Sequence, residues 1–218
     1  MRLQGAIFDM DGTLLDSMWF WRSFGANFVR DLGVEPEPDL NDTLKTMTPK
    51  QGIFYMKERY GLSQSEEALL RMSDERIRHF YQHEVQAKPD AEKFLSLLKM
   101  EGVWMYVATA THRAYAEPAL ERTGLMKYFR GIMTCQEAGA GKDSPLIYDK
   151  CLTRLRCQRR DCVVFEDALY AIRTAKDAGF RVAGVCDPSS QQEQDQIRQL
   201  ADYYISSYTD WLRIEQSE

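Results

Sequence analysis

Five short apolar runs, separated by longer stretches with helical spacing, constrain the fold of this chain more than any other feature. A strand buried in a parallel sheet appears in a sequence as a short, continuous apolar run, because both of its faces are covered. The runs lie at residues 3–8, 103–108, 131–134, 162–165 and 181–185. Since parallel strands need crossover connections, this alternation predicts an α/β fold in which helices flank a parallel sheet.

Residues 17–84 interrupt the alternation, because their pattern is helical throughout and contains no strand-like run. Helices are expected from Asp16 or Ser17 to Gly33, from Pro49 to Tyr60, and from Ser63 or Ser65 to about His83. Two chain connections join this insertion to the rest, as they would for a hinged lid. We therefore expect a catalytic core at residues 1–16 and 85–218 and an inserted, small all-helical domain at residues 17–84.

Composition and charge narrow the class of protein. A chain of 218 residues with 44% hydrophobic residues can bury one core and a small second module. The net charge is −5 and the basic residues are scattered, which argues against nucleic acid as a partner. No apolar run approaches the roughly 20 residues that a membrane span requires, and residues 1–8 hold too short an apolar stretch for a secretory signal. We expect a cytoplasmic protein that does not associate with a membrane.

The cysteines and histidines give weaker signals. Five cysteines, an odd number in a chain of this length, argue against a disulfide framework, so we expect reduced thiols. His79 and His83 have the i, i+4 spacing that could hold zinc on one helix face. Because no third ligand is close to them in the sequence, we prefer to interpret them as two half-exposed helix residues.

The strongest local signal is a pair of carboxylates directly after the first apolar run. Asp9 and Asp11 lie at positions i and i+2 where a buried strand is expected to end, and Gly12 and Thr13 follow them. The carboxyl edge of a parallel sheet is where α/β enzymes bind their ligands, so both carboxylates could converge on one site there. An Asp-Gly pair between apolar stretches is also a turn signal, and the two interpretations are compatible.

Three later segments also place polar groups at strand ends or helix starts. Thr109 follows the second run, and residues 110–113 open a helix whose amides would favour an anion. Lys142 precedes a helix signalled by Pro145, and Glu166 and Asp167 follow the fourth run. Each residue taken alone could be a helix cap or a solvated charge. Their common position favours one site, and two acidic pairs suit a hard, oxygen-preferring ion such as Mg²⁺.

Together these segments resemble the four motifs of the haloacid dehalogenase superfamily of phosphotransferases, and the resemblance covers nearly the whole chain. The matching segments are residues 8–17, Val107-Ala108-Thr109, Gly141-Lys142-x-x-Pro145-x-x-Tyr148 and residues 164–168. The resemblance is closest to the phosphatase and beta-phosphoglucomutase branch, and it implies a Rossmann-like core with an α-helical cap at residues 17–84. Two positions depart from that branch, since Asp90 replaces a common Gly and Leu146 replaces a common Asp.

The resemblance also implies a reaction and a role for each residue. Asp9 would be the nucleophile that forms an aspartyl-phosphate, and Asp11 would be the general acid and base. Mg²⁺ would be held by Asp9, by the backbone carbonyl of Asp11 and by Asp167, with Glu166 as a supporting ligand. The phosphate-binding positions would be Gly12, Thr109, Ala110 and Lys142. The implied enzyme is a Mg²⁺-dependent phosphatase, a phosphoric monoester hydrolase, that acts on a small phosphorylated metabolite.

Other functions known for related folds and chemistries fit the sequence to different degrees. A dehalogenase is disfavoured because that branch lacks a carboxylate at the position of Asp11, and an ion pump would need membrane spans. A phosphosugar mutase stays open, since Thr111, His112 and Arg113 could contact a second phosphate at a helix N-terminus. A non-catalytic ligand- or partner-binding module also stays open, although it would have been free to lose the acidic residues and Lys142.

The substrate and the oligomeric state are not apparent from the sequence, and we expect a monomer. Trp19, Trp21, Lys45 and Lys50 are candidates for substrate selection in the helical insertion. Trp19, Phe20 and Trp21 are adjacent and cannot all lie on one helix face, so at least one must point away from the core of the insertion. That residue would either pack against the neighbouring domain or form a wall of the substrate cavity.

Overall fold

The computed structural model describes residues 3–44 and 47–211. The chain forms two compact units, one comprising Met1–Asp16 with Val85–Glu218 and the other comprising Ser17–Glu84. We call the first the sheet unit and the second the helical unit. No helix in the described part of the chain is long and apolar enough to cross a membrane.

Within the described residues, eight strands form one large and one small sheet. The strands are β1 (Gly5–Phe8), β2 (Leu15–Asp16), β3 (Gln86–Ala87), β4 (Trp104–Thr109), β5 (Phe129–Thr134), β6 (Cys162–Glu166), β7 (Arg181–Val185) and β8 (Tyr203–Ile205). Six of them form a parallel sheet in the order β5-β4-β1-β6-β7-β8, and β2 pairs antiparallel with β3. The predicted Rossmann-like α/β fold is therefore confirmed.

Ten α-helices are present in the same described residues. They are α1 (Met18–Asp31), α2 (Leu40–Leu44), α3 (Pro49–Tyr60), α4 (Glu66–His79), α5 (Ala91–Met100), α6 (Arg113–Arg122), α7 (Cys135–Ala138), α8 (Leu146–Leu155), α9 (Leu169–Asp177) and α10 (Gln194–Leu200). The first four belong to the helical unit, and the other six belong to the sheet unit.

The central position of β1 decides where the first acidic residues lie. β1 pairs with β4 on one side and with β6 on the other, so Phe8 is level with Val107 and Phe165. Phe8 is fully buried and stacks on Phe165 with ring centroids 4.4 Å apart. The burial of large aromatic side chains here stabilises the register of β1 against its two neighbouring strands. The residues that follow β1, β4 and β6 consequently emerge at the same edge.

Several elements were not predicted, because they are short and carry no periodic signal. Strand β8 has three residues, and β2 and β3 have two residues each. Strand β5 begins at Phe129 rather than at Gly131, since the exposed Arg130 interrupts its apolar run. Strands of two or three residues, such as β2, β3 and β8, fall below the four to eight residues on which an alternation or run can be recognised.

The helical unit has its own core and clear helix boundaries. Thr48 and Gln51 form a capping box at the start of α3, and Gly61 ends that helix in the left-handed conformation. Ser65, rather than Ser63, caps α4, which ends at His79 and is followed by a π-helical turn over Phe80–Glu84. The core residues are Phe28, Val29, Leu40, Ile53, Met56, Leu62 and Leu69. Helix α2 was not predicted.

Asp90 explains one departure from the family pattern. It lies at the start of α5 with φ 61° and ψ 2°, in the left-handed region. Glycine adopts this conformation without a steric penalty, whereas Asp is one of the few other residues that tolerate it. The common Gly at this position therefore has a backbone reason, and the change to Asp keeps the same turn.

Candidate active site

Asp9 is the first residue after β1 and lies between the ends of β4 and β6. Its backbone amide donates a hydrogen bond to the carbonyl of Phe165, with 2.9 Å between N and O. This bond extends the pairing of β1 and β6 by one residue, and the Asp9 side chain is buried. Sheet topology therefore brings the Asp9 carboxylate to the carboxyl edge beside the end of β6.

Three carboxylates meet at this edge. Glu166 is the last residue of β6 and Asp167 follows it, and both are buried. One carboxylate oxygen each from Asp9, Glu166 and Asp167 lies within 4.8 Å of the others. We call these three residues together with Lys142 the acidic cluster. Within residues 3–44 and 47–211, the three carboxylates are the one group of three or more His, Cys, Asp or Glu side chains that could hold a metal ion.

Lys142 lies inside the acidic cluster and is itself buried. Its ammonium donates to Glu166 Oε1 at 2.8 Å and also to Asp9 Oδ1. The second oxygen of Glu166 accepts from the backbone amide of Asp167 at 2.9 Å. Three carboxylates therefore face one ammonium, and with all three ionised two negative charges would be left unbalanced in a buried site.

The imbalance appears in the pKa values of the cluster. Burial, followed by the charge of Glu166, raises the pKa of Asp9 to about 8, although Lys142 opposes this change. Burial and the charges of Glu166 and Asp9 likewise raise the pKa of Asp167. Burial opposes the charge of Lys142, but Asp9 and Glu166 outweigh it and raise the pKa of the ammonium. The site is thus short of positive charge.

A divalent cation fits this donor set. Oxygen donors from carboxylates are the ligands that Mg²⁺ takes in proteins, and such ions usually rely on one or two carboxylates and on substrate phosphate. A charge of +2 would balance the two uncompensated negative charges of the acidic cluster. Asp9, Glu166 and Asp167 are the side chains that would hold it.

The turn after Asp9 brings a backbone and a hydroxyl against Asp167. Gly12 has φ 81°, and a Cβ at this position would clash with the Asp167 carboxylate. Only glycine therefore allows this approach. Thr13 Oγ1 donates to Asp167 Oδ1 at 2.9 Å, and the Thr13 carbonyl accepts from the hydroxyl of the buried Tyr208 at 2.7 Å. No local sequence pattern predicted a role for Thr13 or Tyr208.

Asp11 takes a different position from the three clustered carboxylates. Its side chain is half-buried, and its Oδ2 accepts a hydrogen bond from Thr111 Oγ1 at 2.7 Å. Thr111 lies in the loop between β4 and α6, so this bond joins the loop after β1 to the loop after β4. The carboxylate of Asp11 is therefore outside the metal-ligating group but at the same edge of the sheet.

Thr109 and Ala110 lie at the same edge of the sheet, where β4 ends. Thr109 is buried, and its Oγ1 accepts from the backbone amide of Thr111 at 3.0 Å, whereas Ala110 is exposed. Helix α6 then begins after His112 as its N-cap. Both residues therefore lie at the carboxyl edge of the sheet, and their role in binding phosphate stays a prediction.

Arg113, which the mutase hypothesis invoked, is already engaged. Its guanidinium donates to Glu137 Oε2 at 2.9 Å and to the carbonyl of Ile132 at 2.7 Å. A bidentate pair with a carboxylate is among the stronger side-chain contacts of a protein surface. Arg113 would have to break it before it could bind a second phosphate.

A second buried ion pair lies near the acidic cluster, and sequence reasoning missed it. Asp187, two residues after β7, pairs with Lys88 with 2.7 Å between Oδ2 and Nζ. Its Oδ1 accepts from the amide of Ser189 at 2.8 Å and from the hydroxyl of Ser189 at 2.6 Å. Burial opposes the charge of Asp187, but these hydrogen bonds and Lys88 lower its pKa below the ordinary value.

The specificity candidates of the helical unit differ in exposure. Trp19 is 52% exposed, while Phe20 is buried and stacks on Phe80 with 3.9 Å between centroids. Trp21 donates from Nε1 to the Tyr81 hydroxyl at 3.0 Å. Trp19 is therefore the member of the aromatic trio that points away from the core of this unit. Lys50 is exposed, and Lys45 lies outside the described residues.

The two histidines of α4 and the turn after it form no metal site with a third ligand among the described residues. His79 Nε2 lies 3.4 Å from Glu84 Oε1, and the His79 and His83 rings are 4.8 Å apart. Both rings lie on one helical stretch, as their spacing predicted.

Comparison with known proteins gives these residues a family context. The profile of the haloacid dehalogenase-like hydrolases matches residues 6–185, which include every member of the acidic cluster. The chain belongs to the haloacid dehalogenase-like hydrolase family. It is accordingly an enzyme of the hydrolase class, and the resemblance inferred from its motifs is confirmed.

Curated relatives of this haloacid dehalogenase-like hydrolase are named as phosphatases. The chain is 27% identical to the phosphorylated carbohydrates phosphatase of Thermotoga maritima, over 84% of this chain and 85% of that protein. It is 28% identical to the fructose-1-phosphate phosphatase YqaB of Escherichia coli, over 84% of this chain and 97% of that protein.

Solved structures show the same fold. The structure of a proposed beta-phosphoglucomutase from Thermotoga maritima superposes with a TM-score of 0.80 at 24% identity, over 98% of this chain and 99% of that one. At this identity the similarity supports the fold and not the activity of that protein.

Proposed function

We propose that this chain is a Mg²⁺-dependent phosphatase that hydrolyses a small phosphorylated metabolite of the sugar phosphate class through an aspartyl-phosphate on Asp9. The observation that carries the proposal is the acidic cluster, in which Asp9 lies beside Lys142 and two further carboxylates. The names of the two phosphatase relatives support the substrate class.

In the first half-reaction a carboxylate oxygen of Asp9 attacks the phosphorus atom and forms a new P–O bond. The P–O bond to the substrate alcohol breaks, and Asp11 gives its proton to the leaving oxygen. Thr111 holds the Asp11 carboxylate through its hydroxyl at 2.7 Å, which orients that group at the strand edge. One difficult displacement is thereby divided into two easier ones.

In the second half-reaction water attacks the phosphorus atom of the aspartyl-phosphate. Asp11 accepts the proton of this water, the P–O bond to Asp9 breaks, and inorganic phosphate leaves. Lys142 balances negative charge on Asp9 in the resting enzyme and on the phosphoryl oxygens during transfer. When bound, Mg²⁺ would neutralise charge on the phosphoryl group and fix its position.

Other residues of the site position the carboxylates. Gly12 lets the backbone approach the Asp167 carboxylate, and Thr13 holds that carboxylate through a hydrogen bond of 2.9 Å. Phosphoryl transfer relies mainly on positioning and on charge neutralisation, so a rigid carboxylate set suits this reaction.

The experiment that tests the proposal measures phosphate release from a panel of sugar phosphates, phosphoglycolate and nucleotides, with Mg²⁺ and with EDTA. We expect Mg²⁺-dependent release from a sugar phosphate that falls by roughly 10⁴-fold or more in Asp9→Asn. Isomerisation of a sugar phosphate after a bisphosphate primer is added, without phosphate release, would instead establish a mutase. Silence in both assays would leave a non-catalytic module and would refute the proposal.

A further inference from the structure

A cleft on the sheet unit lies at the opposite end of β4 from the acidic cluster. It has a volume of 690 Å³ and is lined by Trp104, Tyr106, Arg130, Thr153, Arg154 and Arg156. Trp104 is the first residue of β4 and Thr109 is the last, so the cleft begins about 16 Å along the strand from the active-site edge. Its volume lies within the range of small-molecule sites, about 300–1,000 Å³.

Three arginines give the cleft a positive charge that no residue of its lining balances. Among the described residues, none that lines the cleft is acidic, and the guanidiniums of Arg130, Arg154 and Arg156 have no ion pair. The whole chain carries a net charge of −5, so this basic cleft contrasts with the protein around it. Unpaired guanidiniums that line one cavity suit phosphate groups, which they bind in bidentate fashion.

Two aromatic residues complete the wall. The guanidinium of Arg130 stacks on the Trp104 ring, with its central carbon 2.8 Å from the ring centroid, and Trp104 is 40% exposed. Tyr106 lies against the backbone of Gly131, where a Cβ would come within 2.7 Å of the phenol oxygen. Glycine at this position of β5 therefore makes room for the Tyr106 ring. Aromatic faces and stacked guanidiniums are the surfaces on which nucleobases stack.

Arg156 occupies a backbone position that would favour glycine. It follows α8 with φ 55° and ψ 35°, in the left-handed region that costs an arginine roughly 1–2 kcal/mol. Helix α8 runs from the side of Lys142 to this cleft, so its two ends serve opposite edges of the sheet. A strained residue whose side chain lines a cavity points to a role for that side chain.

We propose that this cleft binds a nucleoside polyphosphate, with Arg130, Arg154 and Arg156 on its phosphates and with Trp104 and Tyr106 beside its base. The site is separate from the acidic cluster and needs no divalent cation, because arginines supply the positive charge. Ligands with both a polyphosphate and an aromatic ring satisfy the two kinds of surface that the cleft offers.

The test is calorimetric titration of the full chain with sodium tripolyphosphate and with ATP, in EDTA. We expect saturable binding of both and tighter binding of ATP, by about tenfold, because base stacking adds roughly 1–3 kcal/mol. The triple variant Arg130→Gln, Arg154→Gln, Arg156→Gly should weaken both by at least tenfold, and Trp104→Ala should remove the advantage of ATP. The matched control is Arg198→Gln, since Arg198 stacks on the Tyr204 ring outside the cleft and is also exposed.

The substitutions separate binding from folding. Arg154 and Arg156 lie at the C-terminal end of α8, where positive charge stabilises a helix by about 0.3–1 kcal/mol. Glycine adopts a positive φ without strain, so the single variant Arg156→Gly should fold normally, which its melting temperature measures. The same variant should lose affinity in the titration. Unchanged affinity in the triple variant, or no saturable binding to the wild type, would overturn the proposal. Binding of an acidic peptide without binding of either phosphate would also overturn it, in favour of a protein-docking surface.

Discussion

Two buried sets of charges lie after neighbouring strands of the sheet unit, and they differ in balance. In the acidic cluster after β1 and β6, three carboxylates share the one ammonium of Lys142. In the pair after β7, the Lys88 ammonium balances the charge of Asp187 and also donates to the Cys186 carbonyl, and Ser189 gives Asp187 two further hydrogen bonds. The first set is left with excess negative charge, and the second is neutral and saturated.

The carboxyl pKa values follow this difference. Burial and like charges raise the pKa of Asp9 to about 8 and raise that of Asp167, whereas hydrogen bonds and Lys88 lower that of Asp187 against the effect of burial. Burial alone therefore does not distinguish a functional carboxylate from a structural one. What distinguishes them is whether the protein itself supplies the compensating charge.

Among the variants that compare the two sets of charges, removal of the shared cation should have the largest effect. Lys142→Met should lower kcat/KM for phosphate release by about 10²–10³-fold, because it removes positive charge from the site of phosphoryl transfer. Lys88→Met, which removes the other buried ammonium, should leave kcat/KM within about tenfold of the wild type, and so serves as the matched control. Equal losses of activity in the two variants would show that the two sets do not differ in function.

Disruption of the balanced pair should instead lower the free energy of unfolding. Asp187→Asn leaves the Lys88 ammonium, whose side chain is 11% exposed, without its counter-charge and with the Cys186 carbonyl as a remaining partner. Breaking a buried pair costs about 3–5 kcal/mol in the free energy of unfolding, and we expect the lower end of that range here. Urea denaturation followed by circular dichroism measures this loss. A change smaller than about 1 kcal/mol would mean that the Ser189 hydrogen bonds suffice, and the contrast between the two sets would weaken.

The same pair predicts a pH dependence of stability. The pKa of Asp187 is lower in the folded protein than in the unfolded chain, so its contribution is present above the unfolded value of about 3.9 and is lost as the pH falls through the folded value. The difference in unfolding free energy between wild type and Asp187→Asn should therefore stay constant from pH 7 to about pH 5 and shrink below about pH 4. Denaturation at a series of pH values measures it, and a difference that first shrinks near pH 7 would contradict the assignment.

A smaller effect should follow from loosening one carboxylate of the acidic cluster. Thr13→Val removes the hydroxyl that holds Asp167 and keeps the volume of the side chain. Loss of such an outer partner typically costs about 10–100-fold in metal affinity or activity, so we expect a rise of that size in the Mg²⁺ concentration for half-maximal activity. Thr174→Val removes an exposed hydroxyl bonded to the Tyr170 carbonyl and should change nothing.

The sequence predicted the parts of this arrangement that depend on local patterns. Short apolar runs located the five longer strands, and Asp9, Thr109, Glu166 and Asp167 could be placed because each directly follows or ends such a run. The edge of a parallel sheet then brings them together without further information.

Contacts between distant segments could not be predicted in this way. Tyr208 reaches Thr13 across 195 positions of sequence, from a segment where no regular element was expected. Lys88 and Asp187 also come from separate loops, and an isolated Lys or Asp in a loop looks like an ordinary solvated charge. These pairings depend on how the strands and loops at this end of the sheet pack together, including the turn at Tyr208–Asp210. No periodic pattern in the sequence encodes that packing.

The unbalanced set should bind a divalent cation, and the balanced pair should not. Calorimetric titration of the metal-free protein with Mg²⁺ tests it directly, with Asp167→Asn and Asp187→Asn as a matched pair of variants. We expect one saturable site in the wild type, a loss of at least tenfold in affinity in Asp167→Asn, and wild-type affinity in Asp187→Asn. Wild-type affinity in Asp167→Asn, or equal losses in both variants, would contradict it.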